Sequence, residues 1–178
     1  MNIANKLTVF RVVLVPFFVL FMLTDFTPYN RWIAFAIFCI ATITDKLDGT
    51  IAKKYNMVTD FGKFMDPIAD KLLVSSALIC LSSLGEIPAW IVVVIITREF
   101  AISGIRLVAA DNGVTIAATW WGKSKTIAQM AMIIIMLMKI PALHILSQVV
   151  MYVSLVLTII SMVDYIIKNK AVLINGTK

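Results

Sequence analysis

Six long apolar stretches, at about 7–24, 31–53, 67–84, 88–110, 120–139 and 146–167, take up most of this 178-residue chain. Short separators rich in turn residues divide them: Thr27-Pro28-Tyr29-Asn30, Gly85-Glu86-Ile87-Pro88, Asp111-Asn112-Gly113 and Lys139-Ile140-Pro141. A transmembrane strand alternates apolar and polar residues, and runs such as 91–97 and 132–138 do not, so the stretches read as helices. Hydrophobic residues make up 61% of the chain and charged residues 15%, against about a quarter charged in a soluble domain. With a mean hydropathy of +0.95, the chain cannot cover its own surface with polar groups, and lipid must be part of its solvent. A secreted disulfide domain, a disordered tail and a cytosolic enzyme are thereby excluded. Neither an internal repeat nor a low-complexity stretch interrupts the pattern. The expectation is an all-α integral membrane protein, a single domain over 1–178 with six transmembrane helices. Cys39 and Cys80 sit in apolar runs and carry no information about redox compartment. No A-x-A-like cleavage site follows the first apolar run, which is therefore expected to be retained.

Basic residues orient the helices. With the N-terminus in the cytosol, the cytosolic side collects fourteen of the sixteen Lys and Arg residues, and the outer side keeps only Arg31 and Lys139. Both termini are then cytosolic, in a cell-membrane protein. A net charge of +6 does not point to nucleic acid, because the basic residues punctuate apolar segments instead of forming an arm. The uncharged stretches are short. Thirteen residues separate Arg31 from Asp45, Lys71 from Gly85, and Lys125 from Lys139, while nine separate Pro88 from Arg98. Thirteen residues of helix span about 20 Å of a hydrocarbon core of roughly 30 Å. Several helices therefore turn polar at one shared depth, which predicts a polar cavity open to the cytosolic side. Snorkelling lysines in a thinned bilayer are the plainer reading, but snorkelling serves aspartate poorly.

The most informative segment runs from Asp45 to Asp70. Asp45 and Asp48 stand at i,i+3, and Asp66 and Asp70 at i,i+4, so each pair shares a helix face. A loop around Tyr55–Asp60 joins the two helices as an antiparallel hairpin, which lets the pairs face each other. Four carboxylates at membrane depth repel one another and are expensive to desolvate. Hard divalent cations prefer oxygen ligands of this kind. No His–Cys cluster suggests zinc, and the one histidine, His144, falls on the outer side. Four carboxylates suit two divalent cations, Mg²⁺ or Mn²⁺, and paired metals serve phosphoryl displacements. One carboxylate can stay free enough to take a proton from an attacking hydroxyl. Gly49, Ala52 and Gly62 lie beside or one turn from the acids, and small side chains there admit a bulky ligand or a second backbone.

The pattern DxxDGxxA followed by GxxxDxxxD, with Lys53 after Ala52, resembles the signature of the CDP-alcohol phosphatidyltransferases. The family has arginine where this chain has Lys53, which keeps the charge but loses the planar fork. The resemblance extends along most of the chain to one branch of the family. Its N-terminal motif is matched by Asn2-Ile3-Ala4-Asn5-Lys6-Leu7-Thr8 with Arg11, where Ala4 replaces a proline. Two further segments match it: Thr97-Arg98-Glu99-Phe100 with Gly104-Ile105-Arg106, and Trp121-Gly122-Lys123-Ser124-Lys125-Thr126 with Gln129. The resemblance implies that the hydroxyl of sn-glycerol 3-phosphate attacks the lipid-side phosphate of CDP-diacylglycerol, giving phosphatidylglycerophosphate and CMP. It implies that Asp45, Asp48, Asp66 and Asp70 hold two divalent metals, with Asp70 as general base. It further implies that Gly49, Ala52 and Gly62 line the nucleotide pocket and that the enzyme is a homodimer.

A phosphorylated acceptor is a dianion and needs basic groups near the metals. Thr8, Arg11, Arg98, Arg106, Lys123 and Lys125 all fall on the cavity side. Arg106, Lys123 and Lys125 are the candidates for the acceptor phosphate, and Thr8 and Arg11, one turn apart, can contribute. Arg98, beside Glu99, reads equally well as half of a structural ion pair. Trp32, Trp90, Trp120 and Trp121 read as interfacial belts, Asp164 as a solvated residue near a helix end, and Lys168 and Lys170 as anchors to anionic lipid. Two rival readings remain. One is the same scaffold with another acceptor, as in cardiolipin, phosphatidylserine or phosphatidylinositol synthases. The other is a divalent-cation transporter that uses the aspartates as its transport site.

Overall fold

The polar separators among the described residues fall where the helices break. A computed structural model of the chain describes residues 3–54, 60–111, 116–117 and 119–169; the side chains of residues 3–6, 46–54, 60–67, 70 and 111 also lie outside the description. The described residues form six α-helices: α1 (Ile3–Leu23), α2 (Asn30–Lys54), α3 (Asp60–Ser83), α4 (Ala89–Asp111), α5 (Trp120–Met138) and α6 (His144–Lys168). One 3₁₀ turn, Pro141–Leu143, leads into α6, and the described residues contain no strand. The third helix starts at Asp60, seven residues before the apolar stretch, because backbone hydrogen bonding continues through polar sequence as readily as through apolar.

The chain divides into two compact units, Met1–Ile87 and Pro88–Lys178. In the first, α1 packs against both α2 and α3. Val15, Phe18 and Met22 of α1 bury against a core that includes Ala34, Phe38 and Ala41 of α2 and Ala69, Leu73, Ala77 and Leu78 of α3. The Phe18 and Phe38 rings meet at a tilt, 5.9 Å between centroids. Asn30 buckles the α1–α2 turn: its Oδ1 accepts from the Thr27 amide and hydroxyl, both at 2.9 Å, and its amide donates to the Thr24 carbonyl. Gly85 ends α3 at φ 75°, with its N–H on the Ser82 carbonyl and that of Glu86 on the Leu81 carbonyl, both 2.9 Å, a left-handed cap that favours glycine. This cap presents Glu86 to Arg31 at the start of α2, where two parallel N–H···O bonds of 2.7 and 2.5 Å form.

In the second unit, α6 packs against both α4 and α5. Thr119 caps α5 by accepting from the Gly122 amide at 3.2 Å, and Lys139 closes it in the left-handed conformation, φ 47°. The buried face of α6 carries Ser147, Met151, Ser154, Leu155, Thr158, Ser161 and Tyr165. Its outward side carries Ile145, Val149, Val153, Val156, Ile159, Val163 and Ile167. The first helix repeats that inversion, with Thr8 and Arg11 inside and Phe10, Val13, Phe17 and Leu20 outside. Polar groups inward and large apolar groups outward is the arrangement that a lipid solvent selects and water opposes. Among the described residues one helical stretch, Pro141–Lys168, is long and apolar enough to cross a membrane; Leu7–Leu23 and Lys71–Ser83 are apolar but shorter. Trp32, Trp90, Trp120 and Trp121 are all exposed, as interfacial residues would be.

Candidate active site

Two polar clusters stand inside the otherwise apolar units. The first lies on the carboxylate helices. The second helix runs unbroken through positions 45 and 48, and the third through 62, 66 and 70, so both acid pairs sit on continuous helix within one unit. The side chains of Asp48, Gly49, Ala52, Gly62, Asp66 and Asp70 lie outside the described residues. Asp45 is described, and it is ion-paired with Arg11 of α1. Arg11 is 2% exposed and Thr8, one turn earlier, is fully buried, so both candidates from the N-terminal motif turn inward. The chemistry of the donor set fits hard divalent cations, since the acids supply oxygen only; of the four, Asp45 is the one described, and it is held by Arg11. Cys39 and Cys80 are free thiols within apolar helices. Among the described residues no three His, Cys, Asp or Glu side chains gather into a ligand set.

The second cluster belongs to α4, α5 and α6. Lys125, fully buried on α5, is ion-paired with Glu99 of α4. Glu99 also lies 4.0 Å from Arg98, a loose contact. The close partner of Arg98 is Ser161 of α6, whose hydroxyl accepts from Nε at 3.0 Å and donates to the Thr158 carbonyl at 2.9 Å. Arg98 Nη2 also flanks Gly122, where an added Cβ would stand 3.4 Å from it. Arg106 donates from Nη2 to the Ala117 carbonyl at 3.3 Å, and its guanidinium lies over the Tyr165 ring, 5.7 Å from the centroid. Lys123 is exposed. Gln129, one turn beyond Lys125, is buried with no partner for either amide atom among the described residues.

Arg106 and Lys125 thus share one unit, while Thr8 and Arg11 belong to the other. Two of these features depart from the reading of the sequence. The carboxylate next to Arg98 serves Lys125 more closely than Arg98. Asp164 is only partly solvated: its side chain is 16% exposed, one oxygen holds the exposed Lys168 at 2.7 Å and the other is buried. Ser161, Tyr165 and the Arg31–Glu86 pair were not anticipated. A signal for the first two was present, since Ser147, Ser154, Thr158, Ser161 and Tyr165 recur every three, four or seven residues along an apolar helix.

The profile of the CDP-alcohol phosphatidyltransferase family matches residues 1–160. The chain belongs to that family. A Mycobacterium tuberculosis protein named "Probable phosphatidylglycerophosphate synthase" is 45% identical, over 93% of this chain and 80% of its own. CDP-diacylglycerol–glycerol-3-phosphate 3-phosphatidyltransferases of Bacillus subtilis and Haemophilus influenzae are similar too. The first is 40% identical over 94% of this chain and 95% of its own; the second is 38% identical over 98% and 97%. The family is membrane-associated and generally depends on divalent metal. Its members are transferases of phospholipid biosynthesis, and this chain is an enzyme of that type.

Proposed function

We propose that the chain is a CDP-diacylglycerol:glycerol-3-phosphate 3-phosphatidyltransferase, a phosphatidylglycerophosphate synthase. The observation that carries this reading is the 38–45% identity to proteins named for that activity, over most of each chain. In this reading Asp45, Asp48, Asp66 and Asp70 hold two divalent cations, Mg²⁺ or Mn²⁺. Bound there, such cations supply neutralisation of the pyrophosphate and of the leaving phosphate. Asp70 accepts the proton of the glycerol hydroxyl as that oxygen attacks the lipid-side phosphate, and CMP departs. Gly49, Ala52 and Gly62 leave room for the nucleotide. Thr8, Arg11, Arg106, Lys123 and Lys125 receive the phosphate of the acceptor, with Glu99 as the counter-ion that keeps the buried Lys125 charged.

The enzyme works in the cell membrane. The inverted polarity of α1 and α6 supports lipid contact, and the fourteen-to-two division of basic residues supports six spans with both termini and a polar cavity on the cytosolic side. A family match that runs through both units supports one membrane domain over 1–178. Homodimerisation follows from the family resemblance alone. The deciding experiment is CMP release from CDP-diacylglycerol in mixed micelles with a panel of acceptors. Release that requires glycerol 3-phosphate and a divalent cation is expected. Release only with serine, inositol or phosphatidylglycerol would overturn the choice of acceptor. Cation movement in proteoliposomes without CMP release would overturn the enzyme.

A further inference from the structure

The chain has four arginines, and three of them reach a carboxylate: Arg11 pairs with Asp45, Arg31 with Glu86, and Arg98 approaches Glu99 at 4.0 Å. Arg106 has no carboxylate partner among the described residues. Its contacts are the Ala117 carbonyl, at 3.3 Å from Nη2, and the face of Tyr165. Its Nε–H is buried and has no acceptor among the described residues. Among the described residues this cation is held by neutral groups alone, and in a helix read as membrane-spanning such a cation is expensive unless an anion completes it.

Tyr165 supplies the orienting surface. It is 2% exposed, and its hydroxyl finds no partner among the described residues. A buried tyrosine usually satisfies its hydroxyl, and no described residue does so here. What the ring offers is its π face, 5.7 Å from the guanidinium carbon. The ring quadrupole attracts the guanidinium without using any of its N–H donors. A carboxylate in the same place would fix it too, but would also repel an incoming phosphate. Tyr165 lies beyond residue 160, where the family profile ends.

We propose that Tyr165 is a positioning residue for acceptor binding, holding Arg106 in the orientation that receives the phosphate of the acceptor. This rests on the reading of Arg106 as a phosphate ligand. The test is steady-state kinetics on the full-length protein in mixed micelles, with each substrate varied in turn, for Arg106→Ala, Tyr165→Phe and Tyr165→Leu. Phenylalanine keeps the π face and should leave both KM values within about twofold. Leucine removes it and should raise KM for glycerol 3-phosphate about tenfold, the desolvated cation–π range, with KM for CDP-diacylglycerol and kcat within about twofold. The proposal is overturned if leucine leaves the acceptor KM unchanged, if it raises both KM values alike, or if phenylalanine matches it. Arg106→Ala separates the two layers. If that variant raises the acceptor KM and leucine does not, only the role of Tyr165 fails. If it leaves the acceptor KM unmoved, the phosphate reading of Arg106 fails and the role of Tyr165 falls with it. Should the leucine variant not elute as a monodisperse species, Tyr165→Met makes the same comparison, and a tenfold rise with phenylalanine alone is enough to refute.

Discussion

Arg11 of α1 and Asp45 of α2 form an ion pair in which the guanidinium is 2% exposed and the carboxylate side chain 37%. The pair links the N-terminal motif to the first of the four acids, and it supplies a positive charge where the proposed site has most need of one. With the metals removed, Arg11 offsets part of the repulsion among the carboxylates; with metals bound, that duty is shared. Arg11→Ala should therefore lower the melting temperature more in EDTA than in Mg²⁺ or Mn²⁺. The gap between the two conditions should widen by about 5 °C, as expected for roughly 2 kcal/mol in a chain of this length. A deficit equal in both conditions would show that Asp45 plays no part in holding metal.

Lys125 is fully buried and Glu99 only 19% exposed, so each single substitution leaves a charge in a poorly solvating place. Lys125→Met should cost about 3 kcal/mol of stability, and adding Glu99→Leu should recover most of it, because an apolar pair can replace a buried ion pair. Denaturation followed by circular dichroism in mixed detergent checks this. Kinetics separates structure from binding. If Lys125 is also an acceptor ligand, the double variant regains stability but keeps a raised KM for glycerol 3-phosphate, with KM for CDP-diacylglycerol little changed.

Much of this arrangement was legible beforehand, for identifiable reasons. Several helix boundaries lie beside turn residues, and Gly85 and Pro141 mark theirs because few other residues suit a left-handed cap or a helix start. The acid spacing was legible because i,i+3 and i,i+4 are fixed by helix geometry. Pairings between helices were not. Arg98 and Glu99 are adjacent in sequence but point about 100° apart on a helix, so the carboxylate turns to Lys125 of another helix. Tyr165 and Ser161 were hidden for the opposite reason. In a helix read as uniformly apolar, polar residues at helical spacing pass as incidental, although they form its buried face. Nearness to a helix end does not by itself set exposure: Asp164, paired with Lys168, is only partly exposed.

Asp66 provides the most direct test of the metal reading. Asp66→Asn keeps the shape and removes the charge of one proposed ligand. CMP release should fall by about a hundredfold or more, while the variant still inserts and elutes as the parent does. Raising the Mg²⁺ or Mn²⁺ concentration should recover part of the lost rate. Unchanged activity at limiting metal would remove Asp66 from the site.

The sidedness of the turns, and with it the crossing of α5 and α6, can be read with a membrane-impermeant maleimide on intact and permeabilised cells. Cys39 and Cys80 lie in apolar helices and are first replaced by alanine. Single cysteines are then placed at Phe26, Ala117, Ile140 and Asn169, which lie in the turns between helices or just past the end of α6. With six spans and a cytosolic N-terminus, Phe26→Cys and Ile140→Cys react in intact cells, whereas Ala117→Cys and Asn169→Cys react only after permeabilisation. If α6 alone crosses the bilayer, Phe26, Ala117 and Ile140 share one side and label alike. The contrast between Ala117 and Ile140 therefore decides whether α5 spans, and that between Phe26 and Ala117 whether an odd number of α2, α3 and α4 does. The expected alternation follows from where Arg31 and Lys139 stand, since no other basic residues are assigned to the outer side.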